Sequence, residues 1–311
     1  ANLQPKDEEG TPTVSLPDLR AGGVGLICAT IFCEPYSARA AKGYRSADEA
    51  RQMALAQMQW YQQQETQGNL SIVRSRAAIQ DLGAGDAPRQ PRAIVLVEGA
   101  DPIEEGQVAA WYERGVRAVG LAWKRTRYAG GTGESGPLTD AGRRLVGELD
   151  AAGMIHDVSH LAEESFWELL DRSTGPIMAS HSNCRAIVPT DRQHSEQMIR
   201  AVAGRDGIIG INFYTRFLLP PDTLGQRPAT LGDVVRHVRY ICDLLGDAQH
   251  VGLGTDMDGG FGREHLPAGI NTSADLYRLA EELADEGFAD ADVRAIMGGN
   301  WARFFNQKLG G

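Results

Sequence analysis

Four side chains of this 311-residue sequence combine chemistry-bearing types with a common placement. Glu98, His160, His181 and Asp256 each fall at the end of a short apolar run: AIVLVEG, MIHDVSH, PIMASHS and HVGLGTD. A carboxylate and two imidazoles gathered at one point make a good inner shell for zinc or a similar divalent ion. Two of the runs end in Ser-His, so each is expected to deliver one nitrogen ligand from a strand end. Taken singly, every one of these residues also has a plain structural reading. A histidine after an apolar run packs at the rim of a core, and a strand-end glutamate caps the next helix. Asp256 and Asp258 in GTDMDGG shape a turn or cap a helix. Their joint placement is what favours the metal reading. His156 is mid-strand and reads as packing, while His194, His237, His250 and His265 read as surface or helix residues. The loop GGTGESG lacks the Lys-Ser/Thr of a phosphate cradle and reads as a mobile lid.

The elements that would position these side chains alternate along the chain. Seven apolar runs, at 24–32, 93–99, 116–123, 154–160, 176–182, 207–213 and 250–256, show no strict polar alternation and read as strands buried on both faces. Helical patterns lie between them. In TLGDVVRHVRYICDLLG, Thr230 and Asp233 form a capping box, Val234, Val238, Ile241 and Leu245 a stripe, and Gly246 a stop. Segments 140–153, 161–173 and 273–287 are similar. Strand-helix alternation implies parallel pairing, in a closed barrel or an open doubly wound sheet. The barrel is favoured because no GxGxxG follows the opening strand and the polar residues of interest end several different strands. This gives an α/β fold of the (β/α)8 TIM type, with 1–311 as one domain. Seven runs are one short of eight, so the first strand is expected to lie upstream of Ala1. KRTRYAGGTGESG (124–136) and LLPPDTLGQRP (218–228) read as long loops.

Composition narrows the partners. The chain carries a net charge of −10 and no cluster of Lys/Arg interleaved with aromatics, which argues against nucleic acid. No run is long enough for a membrane span, and residues 1–20 lack the basic start and apolar centre of a signal peptide. Cys28, Cys33, Cys184 and Cys242 are scattered singly, without a CxxC, so neither a disulfide framework nor a zinc knuckle is expected. A reducing cytoplasm fits best.

Longer motifs sharpen the reading. LPDLRAGGVG (16–25), VEGADPI (97–103), LTDAGRRLV (138–146), DVSHLAEESFWELL (157–170), ASHSNCRAI (179–187), GINFY (210–214), VGLGTDMDG (251–259) and GGNWARFF (298–305) together resemble the membrane (renal) dipeptidase family of the amidohydrolase superfamily. The resemblance implies a (β/α)8 barrel holding two zinc ions bridged by Glu98. One ion would be completed by His160 and His181, the other by a His-x-Asp on the first strand. It also implies that Asp256 takes a proton from the attacking water and that Arg192 clamps the substrate's carboxylate. Without that alignment, an arginine in a loop reads as a solvated charge. Two departures stand out. No His-x-Asp precedes Val24, so this chain has the residues for one complete metal site, and Trp123 stands where the family usually has a histidine that contacts the substrate. The expectation is a zinc-dependent dipeptidase acting on a small peptide. The competing expectations are a metal-poor homologue kept for binding or assembly, and a hydrolase of another carboxylate-bearing amide or ester. Homodimers are common among proteins that resemble this one, but no interface signature is visible in the sequence.

Overall fold

The computed structural model describes residues 10–37, 40–82 and 90–310, which divide into two compact units. One unit contains the described residues of Leu26–Gln80 and Arg92–Met178, with the end of the chain from Lys308. Its strands are β1 (Leu26–Phe32), β2 (Ser71–Ile72), β3 (Arg92–Glu98), β4 (Val116–Gly120), β5 (Ile155–Asp157) and β6 (Ile177–Met178). All pair in parallel, in the order β1-β3-β4-β5-β6, with β2 added to β3. Helices Ala47–Thr66, Val108–Arg114, Asp140–Ala151 and Glu163–Arg172 fall between strands. In β3 the β-branched and aliphatic residues from Ala93 to Val97 are all at most 1% exposed. Both faces of the strand are therefore covered, as a parallel sheet requires. Burying each large aliphatic side chain there contributes roughly 2 kcal/mol before entropy is counted.

Register aligns the strand ends of this unit. Phe32 lies opposite Glu98, Glu98 opposite Gly120, Gly120 opposite Asp157, and Asp157 opposite Met178. Among the described residues β1 has one strand partner, β3. On β1, Phe32 is bonded through its backbone N and O to the Gln57 side-chain amide (3.1 and 2.7 Å), and the Thr30 carbonyl accepts from the Tyr61 hydroxyl (2.9 Å). The helix Ala47–Thr66 thus supplies hydrogen bonds of the kind a neighbouring strand would otherwise make.

The other unit contains Ala179–Gln307 together with described residues from Ala1–Gly25 and Asp81–Pro91. Here β7 (Ile209–Ile211) pairs in parallel with β8 (Val251–Leu253), and Ala179 bridges in parallel to Ile209. The helix Leu231–Leu245 has the expected Thr230/Asp233 capping box and ends at Gly246, whose φ is 86°. In the GGNWARFF segment, Asn300 donates from Nδ2 to the carbonyls of Ala248 (2.6 Å) and Val251 (2.8 Å). Trp301 Nε1 donates to that of Leu253 (2.9 Å). These bonds fix the strand that leads to Asp256.

All seven expected strands are present; Arg92–Glu98 is as long as its apolar run and shifted by one residue, and the other six are shorter than theirs. Segment 273–287 contains a 3-10 turn, Ser273–Asp275, followed by the helix Arg278–Asp285. The helices Ala47–Thr66, Val108–Arg114, Glu196–Gly204 and Asn300–Lys308 were not expected from the sequence. Among the described residues, no helix is long and apolar enough to cross a membrane.

His237 belongs to a helix as expected, yet it is fully buried. The Cys184 N–H donates to its Nδ1 (3.2 Å), so Nε2 carries the proton and faces the Leu218 carbonyl (3.3 Å). Burial, the largest influence, lowers its pKa from 6.5 to about 4. The unfolded chain therefore takes up this proton first as pH falls. The contribution is complete above pH 6.5 and is lost progressively toward pH 4, by about 3 kcal/mol at most. Urea titrations at a series of pH values are expected to show this loss in the wild type and a shallower slope in His237→Gln, whose amide can replace both hydrogen bonds. Identical slopes would contradict the assignment.

Candidate metal centre

Strand ends place the candidate residues in a regular way. Glu98 is the last residue of β3. Trp123, His160, His181 and Asp256 are each the third residue beyond β4, β5, β6 and β8, which end at Gly120, Asp157, Met178 and Leu253. In parallel α/β folds the carboxyl ends of strands are where ligands bind, because loops there leave the sheet with side chains free to converge.

Glu98 and His160 face each other. His160 Nε2 lies 3.0 Å from Glu98 Oε1, and the two side chains are 9% and 13% exposed. The other ring nitrogen, Nδ1, is 3.0 Å from the Thr132 hydroxyl. Both nitrogens are thus engaged, one toward a carboxylate and one toward a hydroxyl that orients the ring. Trp123 stands beside them, with ring centroids 6.4 Å from His160 and 5.1 Å from Phe32. The Lys124 ammonium lies 5.2 Å from the indole centroid. After Glu98 the loop is braced by Asp101 of VEGADPI, which accepts from the Tyr44 hydroxyl (2.5 Å) and the Arg127 N–H (3.1 Å). Burial and the Asp101 charge together push the Tyr44 phenol well above its ordinary range.

His181 is 6% exposed, and its Nδ1 lies 2.7 Å from the Ser180 hydroxyl. The Ser180 carbonyl packs against Gly210 and Gly254, where any side chain would collide with it. Those two glycines let the segment carrying His181 lie close to the ends of β7 and β8. The two Ser-His pairs differ in detail, because Ser159 Oγ donates to Asp157 Oδ1 (2.7 Å). Glu98, His160 and His181 each offer one ligand atom, and these atoms all lie within 4.8 Å of one another. The donor set suits a borderline-soft divalent cation. Each imidazole has a hydroxyl at Nδ1 that orients the ring and can accept from Nδ1–H when Nε2 holds a cation.

Arg192, which the resemblance implies as the carboxylate clamp, is not the solvated charge that a loop arginine taken by itself would be, being 3% exposed. It donates from Nη2 to the His181 carbonyl (2.7 Å) and from Nη1 to Ser182 Oγ (3.2 Å), and lies 5.3 Å from the Phe217 ring centroid. His194 is likewise buried, at 2%. His156 is packing, as expected, with Nε2 2.7 Å from Asp150 Oδ1. Asp256 has a left-handed backbone with φ of 57°, tolerated by aspartate better than by most residues. Its Oδ2 accepts from Asn212 Nδ2 (2.9 Å), and Asn212 is held in turn by Asn183 through two bonds of 2.8 and 3.0 Å. Asp258 has a structural role, accepting from Thr13 N, Thr13 Oγ1 and Val14 N. Asn212 and Thr132 carried no assigned role in the sequence. The one signal for Asn212 was a polar residue closing the apolar run GIIGIN.

The wider resemblance is consistent with this geometry. A family model described as membrane dipeptidase, peptidase family M19, matches residues 3–309. An uncharacterized protein in the pqqA 5′ region of Klebsiella pneumoniae is 34% identical over 250 residues, covering 76% of this chain and 88% of its own. Dipeptidase aclJ of Aspergillus oryzae is 30% identical over 224 residues, covering 70% of this chain, which spans about half (51%) of that relative. Among solved structures, the metallopeptidase dipeptidase AC superimposes with a TM-score of 0.85 at 26% identity, covering 98% of this chain and 92% of its own. A metallopeptidase from Rhodobacter sphaeroides, liganded with a phosphinate mimic of the dipeptide L-Ala-D-Ala, gives 0.84 at 25% identity with the same coverage. The fold expectation therefore holds: this is the mixed α/β fold with parallel strands of the M19 dipeptidases, which are TIM-type barrels. The chain belongs to the membrane dipeptidase family, peptidase family M19, a family of metal-dependent hydrolases.

Proposed function

We propose that residues 1–311 act as a single hydrolase domain that cleaves dipeptides, or similar small amides with a free carboxylate, using zinc held by Glu98, His160 and His181. The observation that carries this reading is the group of three ligand atoms within 4.8 Å, with each imidazole backed by a hydroxyl. When bound, a zinc ion supplies Lewis acidity that polarises the scissile carbonyl and acidifies the attacking water. Asp256, oriented by Asn212, takes the proton that the water loses as its oxygen bonds to the carbonyl carbon. It returns that proton to the amine nitrogen as the C–N bond breaks. Arg192 pairs its planar fork with the substrate carboxylate. The four cysteines are free, which supports a reducing compartment such as the cytoplasm. The test is turnover on a dipeptide panel with and without a chelator. Hydrolysis that survives metal removal, or no hydrolysis of any dipeptide, would contradict the proposal.

Trp123 shapes specificity. Its indole has one donor and carries no positive charge, so it serves as an apolar wall where the resembling family uses an imidazole. Trp123→Ala is expected to raise KM for apolar dipeptides about 10-fold with kcat nearly unchanged, because apolar contact is what is lost. A fall in kcat at constant KM would instead place the indole in the chemistry. The same residue supports the second reading, a hydrolase of another carboxylate-bearing amide or ester. Trp123→His separates the two, since a gain of dipeptide turnover would mark a specificity shifted away from dipeptides.

A further inference from the structure

One residue of the glycine-rich loop between β4 and the helix Asp140–Ala151 touches both halves of the Glu98–His160 environment. The Thr132 backbone N–H donates to the Trp123 carbonyl at 3.0 Å, and its hydroxyl lies 3.0 Å from His160 Nδ1. The preceding Gly131 bridges to Leu161, the neighbour of His160. A Cβ at Gly131 would press into the Lys124 carbonyl and come within 2.8 Å of the Trp123 oxygen. The loop is therefore tied down at this point, in contrast to the mobile lid expected from its glycines.

We propose that Thr132 is the positioning residue of His160, holding the plane of the imidazole, whichever ring nitrogen carries the proton, so that Nε2 is presented beside Glu98 to a divalent cation. The inference rests on the metal reading given above and adds a residue to it. A hydroxyl both donates and accepts, so it fits His160 in two states. With Nε2 engaged by a cation, Nδ1–H donates to Oγ1. With Nε2–H facing Glu98, the Thr132 O–H donates to Nδ1. A carbonyl could serve the first state only, and a methyl neither. The β-branch of threonine also restricts χ1, which keeps the hydroxyl aimed at the ring. Trp123 is held by the backbone of residue 132, so changing the side chain leaves the aromatic wall in place and isolates the effect on His160.

The experiment compares wild type, Thr132→Val and Thr132→Ser by zinc competition against a chelating indicator and by the visible absorption of the cobalt(II)-loaded proteins. Valine keeps the shape and removes the hydroxyl, and is expected to weaken zinc binding about 10- to 100-fold and to alter the cobalt spectrum. Serine restores the hydroxyl and is expected to bind close to the wild type. Valine binding as tightly as wild type overturns the inference, and so does serine binding as weakly as valine. Wild type that binds neither metal overturns the metal reading itself, and this inference with it.

Discussion

A His181→Ala variant is expected to lose zinc on dialysis and to fall at least about 10³-fold in kcat/KM for dipeptides. His181 tests the account better than its partners do. Glu98 and His160 are 3.0 Å apart and satisfy one another, so removing either leaves a nearly buried polar group without that partner. Removing His181 leaves the Glu98–His160 pair in place and withdraws the ring whose Nδ1 meets the Ser180 hydroxyl. Loss of function can then be read as loss of a ligand, with the fold checked by circular dichroism and an unchanged unfolding midpoint. A two-donor remnant cannot approach the three protein ligands that catalytic zinc sites use. A variant that keeps stoichiometric zinc and turns over dipeptides within about 10-fold of wild type would show that the imidazole is packing.

The second large effect concerns the proton. Asp256→Asn is expected to lower kcat by about 10²- to 10⁴-fold, with KM and zinc content nearly unchanged. Asparagine is the informative replacement for two reasons. It tolerates the left-handed backbone at position 256, where φ is 57°. Its side-chain oxygen can also still accept from Asn212 Nδ2, as Asp256 Oδ2 does at 2.9 Å. What the substitution removes is the ability to take and return a proton. Pre-steady-state and steady-state rates should fall together, because the proton moves in the bond-breaking sequence itself. If kcat is unchanged, Asp256 is a turn-shaping residue and the base lies elsewhere.

Much of this was legible in the sequence because strand-end chemistry follows from periodicity. Apolar runs without alternation marked the strands, and the polar residue closing a run marked the candidate ligand. Glu98, His160, His181 and Asp256 all emerged this way, although three of the four strands proved shorter, so that His160, His181 and Asp256 lie in the loops beyond them. The helix Ala47–Thr66 was not visible because its buried stripe, Ala50, Ala54, Met58 and Tyr61, begins with two small residues amid many glutamines. Arg192 was singled out only through the family resemblance, because a loop arginine taken by itself reads as a solvated charge. Here the loop folds back, with Cys184 bridging to His194, and buries the guanidinium against the His181 carbonyl. Thr132 and Asn212 escaped notice for another reason. Their partners lie 28 and 44 residues away, and a hydrogen bond across such a distance leaves no local pattern.

Crystals grown with zinc and measured at the zinc absorption edge test the central claim most directly. The account predicts an anomalous peak about 2.0–2.2 Å from one carboxylate oxygen of Glu98 and one ring nitrogen each of His160 and His181. Zinc found elsewhere, or an imidazole of His160 or His181 turned away from the peak, would contradict it.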